Sequence, residues 1–450
     1  VSGEQLRAEL ERIADRAPAV EVDAGLFDRG RRATRRARVL TAAAVVGCLA
    51  VLTTVAVPLL RPDPPPFADS DVIGVPNHLY AVPDHVADEP ETGLRIGRGA
   101  AAFVTENGVP VVVDAQDGAY HVLRLRGLLD DSPGGGYRFH SAPPLALSPD
   151  GTRIAWGILI DGTGGDPYSG IRVADLTTGE VLEIVPTAKD RNVLVGQLHW
   201  SADGRWLVWG GARIVEWTGG GSYSTSGQFG GVVAADGRTS PSYELPEAEV
   251  VTDDTVVSGN VVPDVLVSDE GEFAAVGGNG LWRDGRNTRF DLPGDAAIYG
   301  AWFRGDQVVG LRRAIDGAEG RAYLVDLPGP ENTMVRTDLS DPRRIGQLDA
   351  DTQVLATEAL DEDGSPDPQV TLVRTGRPGG TETPVMALDR GVLGLTLATD
   401  LMPPDHPTVE RPAPDWPWSP QRRVAVVAVP VLALLALTGA TWLLRRRFSR

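Results

Sequence analysis

Leu145-Ala146-Leu147-Ser148-Pro149-Asp150-Gly151-Thr152-Arg153-Ile154-Ala155-Trp156 decides how this chain folds. An apolar run meets a polar Ser/Asp/Gly turn and a second apolar run follows. Glycine takes the positive φ such a turn needs, so the stretch is a hairpin. Leu198-His199-Trp200-Ser201-Ala202-Asp203-Gly204-Arg205-Trp206-Leu207-Val208-Trp209 repeats the unit, and residues 265–276 repeat it again with the acid shifted to Asp269 and Glu270. Downstream of the first copy, residues 170–181 form another hairpin around Thr177-Thr178-Gly179, and two hairpins make one four-stranded blade. Weaker echoes lie at 102–123, 301–327 and 354–373. Four short strands recurring at roughly 35 to 65 residues are the pattern of a β-propeller.

The turn Ser148–Gly151, its variant Ser201–Gly204 and the aromatic-rich strands beside them resemble the TolB/WD40-like propeller repeats of bacteria, over about residues 75–400. That resemblance implies an all-β propeller of a membrane-anchored, actinobacterial type. Counting repeats gives six blades, or seven if residues 72–82 and 391–398 supply strands to a shared closing blade. Closure of that kind brings both ends of the domain together and removes open sheet edges.

Two uncharged apolar stretches bracket the repeats, residues 39–60 and 424–444. Each is long enough, at about 1.5 Å per residue, to cross the roughly 30 Å hydrocarbon core as a helix. Arginines at 29, 31, 32, 35, 36 and 38 precede the first, and arginines at 445, 446, 447 and 450 follow the second. The positive-inside bias therefore predicts a two-pass protein of the cell membrane with both termini cytoplasmic and the propeller extracytoplasmic. The expected plan is an amphipathic and basic cytoplasmic segment 1–38, a transmembrane helix 39–60 and a Pro-rich linker 61–72. The propeller ectodomain 73–401 follows, then a Pro-rich linker 402–423, a second transmembrane helix 424–444 and a basic tail 445–450.

A net charge of −19 leaves the region between the spans acidic, which repels phosphate backbones and excludes nucleic acid as a partner. The single cysteine, Cys48, lies in the first apolar stretch, so no disulfide ties the repeats together. Six histidines show no HExxH spacing and no cysteine partner, so no metal or cofactor is expected. His199, next to Trp200 in an apolar strand, is expected to be structural. The run Gly219–Gly227 lacks the spacing of a nucleophile elbow or a phosphate loop. These absences predict a non-enzymatic protein with no catalytic residues, whose propeller binds a protein, peptide or glycan outside the membrane. An enzymatic alternative, a propeller hydrolase or lyase, would use channel carboxylates such as Asp114, Asp175 or Asp326 near strand ends.

At the start of the chain Ser2-Gly3-Glu4-Gln5 fits a capping box, and Leu6, Leu10, Ile13 and Ala17 fall at helical spacing before Pro18. With Phe27, the stripe of Leu6, Leu10 and Ile13 is the expected partner-binding surface. The layout resembles bacterial membrane-bound anti-sigma factors, although the H-x-x-x-C-x-x-C zinc motif is missing. That resemblance implies a second alternative function, a regulator that holds a cytoplasmic sigma factor through residues 1–28. Membrane lipids are the other expected partner, with the arginines drawn to anionic headgroups.

Overall fold

In the computed structural model the chain divides into two compact units, Phe67–Pro417 and the two ends, Val1–Pro66 with Trp418–Arg450. The residues described are 3–16, 25, 72–128, 144–161, 167–186, 192–219, 222–239, 242–245, 250–252, 255–257, 263–277, 280–289, 296–314, 322–327, 335–337, 340–349, 351–360, 366–374, 382–417, 439, 442 and 446.

Within the larger unit the described strands form five four-stranded sheets, one five-stranded sheet and a separate two-stranded hairpin. From the inside outward the first sheet runs Leu393–Leu397, Gly99–Val104, Pro110–Asp114, Tyr120–Val122. The second runs Leu145–Leu147, Arg153–Asp161, Pro167–Asp175, Val181–Ile184. The third is Val193–Trp200, Trp206–Gly219, Ser222–Ala234, Tyr243–Leu245, and the fourth Asp264–Val267, Phe273–Gly277, Gly280–Arg283, Arg286–Arg289. The fifth is Ala296–Arg304, Gln307–Ala314, Ala322–Leu327, Val335–Thr337. The last runs Ser340–Asp349, Thr352–Leu360, Pro366–Arg374, Glu382–Leu388, with His78–Leu79 added on its outer edge. Successive inner strands adjoin one another right round the ring, so the fold is a closed all-β propeller.

Local chemistry explains the turns after the inner strands. Ser148 Oγ donates to Asp150 Oδ1 at 2.5 Å and accepts from Arg153 N at 2.9 Å, while Thr152 N donates to Asp150 Oδ1 at 3.0 Å. Ser201 and Asp203 repeat the arrangement, with Trp206 N donating to Ser201 Oγ at 3.0 Å. Ser268 Oγ accepts from Glu272 N at 3.1 Å. Gly151, Gly204 and Gly271 sit at φ +72°, +67° and +85°, where a side chain is strained. Between the sheets, alternation buries one apolar set against each neighbour. Trp156, Trp209 and Trp302 each keep 1% of their surface and Phe103 none. Burying a side chain such as Phe103 contributes about 2–3 kcal/mol each time.

Both ends of the unit take part in closure. Leu393–Leu397 pairs antiparallel with Gly99–Val104, matching Leu397 to Ala101, and so supplies the inner strand of the first sheet. His78–Leu79 pairs parallel with Glu382–Leu388, matching His78 to Ala387. Strands from both ends therefore close the ring, in two sheets and not in one shared blade. Residues 402–417, expected within a spacer, lie on the propeller. Val409 N donates to Val75 O at 2.7 Å, and Asn77 N to Val409 O at 2.9 Å. Arg411 is buried, with Nη2 donating to Val72 O at 2.6 Å and Ala115 O at 3.0 Å. Trp416 meets the ring of Tyr120 edge-on at 5.2 Å. Prolines prevent this stretch from continuing a sheet, yet side-chain anchors fix it in place.

In the smaller unit, Gly3–Arg16 is the helix α1. At about 1.5 Å per residue its 14 residues fall short of a bilayer core, and charges occur throughout it. Among the described residues no helix is long and apolar enough to cross a membrane. The expected spans 39–60 and 424–444 lie outside the described residues apart from Gly439 and Trp442. The expectation of a propeller ectodomain flanked by two transmembrane helices is corrected to an all-β propeller with no such helix among the described residues, and the two-pass localisation is not carried forward. Nor are the partners that depended on it: membrane lipids, an extracytoplasmic protein, peptide or glycan ligand, and a sigma factor on the inner side.

Candidate functional site in the channel

Each inner strand ends in a turn at one mouth of the ring. The strands and turns together enclose a cavity of about 470 Å3, lined among others by Leu198, His199, Phe303, Arg344, Gly346 and Thr396. Residues from every sheet reach it, so closure of the ring is what creates the site.

Three titratable side chains from three sheets converge here. His199 Nε2 stands 3.8 Å from Asp264 Oδ1, beyond hydrogen-bond distance. Asp264 Oδ2 accepts from Ala301 N at 2.7 Å, and Arg344 Nη1 donates to Ala301 O at 2.6 Å. The main chain of the fifth sheet is thus gripped at Ala301 by an acid and a cation from its two neighbours. Arg344 Nε is buried and has no hydrogen-bond partner. A buried N–H left unpaired costs about 1–3 kcal/mol.

His199 and Asp264 keep 28% and 16% of their side-chain surface, but the channel walls surround both. Loss of solvent, helped by the Arg344 charge, pushes the His199 imidazole down to about 3. It is neutral across the physiological range. Burial raises Asp264 above the usual carboxylate range, while the Arg344 charge and the amides of Ala301 and Val265 pull the other way. Burial also lowers Arg344, opposed by Asp264, but a guanidinium stays charged at neutral pH.

Around the mouth the charge is negative. Asp203, Asp269, Glu270 and Asp349 border the cavity, and Asp400 follows the bordering Thr399. Arg205 pairs with Asp203 and also donates Nη2 to Asp269 O at 2.8 Å. Arg98 and Arg153 are turned to main-chain carbonyls, those of Asp150 and Gly204. Asp400 is raised by burial first, then by the like charge of Asp150, with Arg98 opposing and Asp203 adding to the rise. Negative charge at this rim is under-compensated.

The residues expected to act fall elsewhere. Asp114 and Asp175 end strands third from the channel. Asp114 Oδ1 accepts from Gln116 N at 2.6 Å, and Asp175 Oδ1 from Thr177 N at 2.8 Å, so both close Asx turns. Asp326 is likewise on a third strand. On α1, Leu6, Leu10 and Ile13 are exposed at 60%, 59% and 60%, while Phe27 lies outside the described residues. Among the described residues no cluster of three or more His, Cys, Asp or Glu could hold a metal ion. His199 was read as structural because Trp200 stands beside it in an apolar strand, and Arg344 was missed because no strand was read at residues 340–349.

No protein-family model matches the sequence. No curated protein matches it either. Among solved structures it is similar to the β-propeller domain of the Trilobed protease from Pyrococcus furiosus, at 16% identity and TM-score 0.34, covering 62% of this chain and 76% of that one. It is similar to the tricorn protease at 15% identity and TM-score 0.28, covering 66% of this chain and 27% of that one. A third similarity is to the uncomplexed acylaminoacyl peptidase of Pyrococcus horikoshii, at 13% identity and TM-score 0.33, covering 65% and 52%. The chain therefore spans about a quarter and a half of the latter two. All three are named as proteases or peptidases. The expectations of a TolB/WD40-like envelope protein, of a non-enzymatic ligand binder and of an anti-sigma-like regulator are withdrawn.

Proposed function

We propose that the protein is a propeller hydrolase of peptides whose channel receives the carboxyl end of its substrate. One observation carries the reading: the Arg344 guanidinium lines a 470 Å3 cavity with Nη1 on Ala301 O and no carboxylate at ion-pair distance among the described residues. A carboxylate matches a guanidinium in charge and donor geometry better than any other common peptide group. His199, in the same wall, is the group that moves a proton at the bound end. The neutral His199 imidazole takes a proton from the water that attacks the scissile carbonyl and returns it to the leaving amine as the C–N bond breaks, while Asp264 stands 3.8 Å behind it.

Calorimetric titration of the full-length protein with an alanine-based pentapeptide, as free acid and as amide, tests this, with product analysis by mass spectrometry. The free acid should bind at least tenfold more tightly, and Arg344→Gln should erase the difference. Equal binding of acid and amide overturns the reading, as does cleavage with unchanged KM in Arg344→Gln.

A further inference from the structure

We propose that the acidic rim is a specificity device, selecting short peptides that carry a positive charge, above all a free amino terminus, at the end opposite the bound carboxylate. The inference rests on the reading of Arg344 given above and deepens it. Two independent features meet in one cavity. In the wall, on the strand that ends at Asp349, lies the cationic Arg344 with no carboxylate at ion-pair distance among the described residues, and at the mouth lie Asp203, Asp269, Glu270 and Asp349. Arg205 engages Asp203, whereas Asp269, Glu270, Asp349 and Asp400 form no ion pair among the described residues. Arg98 and Arg153 are bonded to main-chain carbonyls, and Arg205 to Asp203 and the Asp269 carbonyl. Arg205 also acts through space on Asp269 and Glu270, which leaves Asp349 and Asp400 the least compensated.

A polyanion is repelled by this rim before it reaches Arg344, while a zwitterion is complementary at both ends. Asp349 and Arg344 also set a length. They stand on one inner strand, Ser340–Asp349, five positions apart. At about 3.3 Å per residue, shortened slightly by the irregularities after Arg344 and Gln347, the separation is roughly 15 Å. An extended peptide advances about 3.3–3.6 Å per residue, so a chain of four or five residues spans from rim to guanidinium. Dipeptides are too short to satisfy both ends, and longer chains leave their amino terminus in solvent past the rim.

The test uses the full-length protein and alanine-based peptides of two to eight residues, free or acetylated at the amino end, each as acid and as amide. Glu270→Gln with Asp349→Asn removes two rim charges without touching Arg344, and unchanged thermal unfolding shows that the fold survives. Binding should be tightest at four or five residues. Acetylation should weaken it about tenfold in the native protein and by less than twofold in the double variant, and the preference for acid over amide should persist in both. Acid preference without any effect of acetylation or length overturns the rim proposal and leaves the Arg344 reading standing. Absence of binding by any peptide overturns both.

Discussion

Gly151→Ala should damage this fold far more than a glycine replacement at an equally left-handed turn elsewhere. Gly151 is at φ +72°, and a Cβ added there would overlap Gly99 O and lie 3.2 Å from Ala398 Cβ. The first contact is backbone, so no rotamer change relieves it. Gly99 N also donates to Gly151 O at 2.8 Å, linking the first two sheets. Drawing the two strands apart to make room breaks that bond, at about 1–3 kcal/mol. A left-handed alanine adds about 1–2 kcal/mol, for a total of about 2–5 kcal/mol. Gly285 supplies the control: at φ +73° an added Cβ meets no heavy atom within 4 Å, and Gly285→Ala should cost only about 1–2 kcal/mol. Urea unfolding of the full-length protein, followed by tryptophan fluorescence, measures both. Equal losses would refute the claim that the turn's second function is to carry the neighbouring sheet.

Two further outcomes follow from groups held away from water. Burial raises Tyr120 to about 12 despite the Tyr80 amide it accepts, with the charges of Tyr80 and Asp389 adding to the rise. Its contribution to stability is whole below about pH 10, the unfolded value, and is lost as pH climbs towards 12. Ultraviolet titration should show one late-ionising tyrosine, and Trp416→Ala should bring it back towards 10 by opening the ring contact. His199 shifts the opposite way. The unfolded state takes up its proton near 6.5 and the folded state only near 3, so stability is present above pH 6.5 and drains as pH falls through that window. His199→Gln should flatten acid unfolding there, and a histidine proton resonance that stays unmoved between about pH 5 and 8 in the native protein should vanish in the variant.

How far the sequence foretold this molecule depended on the range of the interactions. Ser148, Asp150 and Gly151 could be read because their side-chain hydrogen bonds run to residues at most five positions away. The same holds for α1, whose apolar spacing and basic last turn are local. Ring closure was legible only as a need for edges to meet, because the partners of Leu397 and His78 lie at the other end of the unit. Asp114 and Asp175 misled for a related reason. An aspartate at a strand end looks the same in sequence whether it faces a channel or takes up the amides two and three residues ahead. At His199 the neighbouring tryptophan pointed to core, whereas the carboxylate that gives the imidazole its setting, Asp264, comes from the next sheet. Arg344 could not be distinguished from adjacent Arg343 until pairing with Thr352–Leu360 fixed which way each points.

Joining the two ends of the propeller also sets the order in which it can form and come apart. Ala101 and Leu397 pair across nearly 300 residues of chain. Against a hairpin of about 10 residues, closing a loop of that size costs roughly 3 kcal/mol more in chain entropy. The other sheets can zip up from local hairpins, but the first waits for the last strand, so ring closure belongs late on the folding route. Contacts absent from the transition state act mainly on the unfolding rate. The latch therefore governs lifetime more than the speed of folding, and a protein cut between Leu388 and Leu393 should keep its hairpins yet open many times faster.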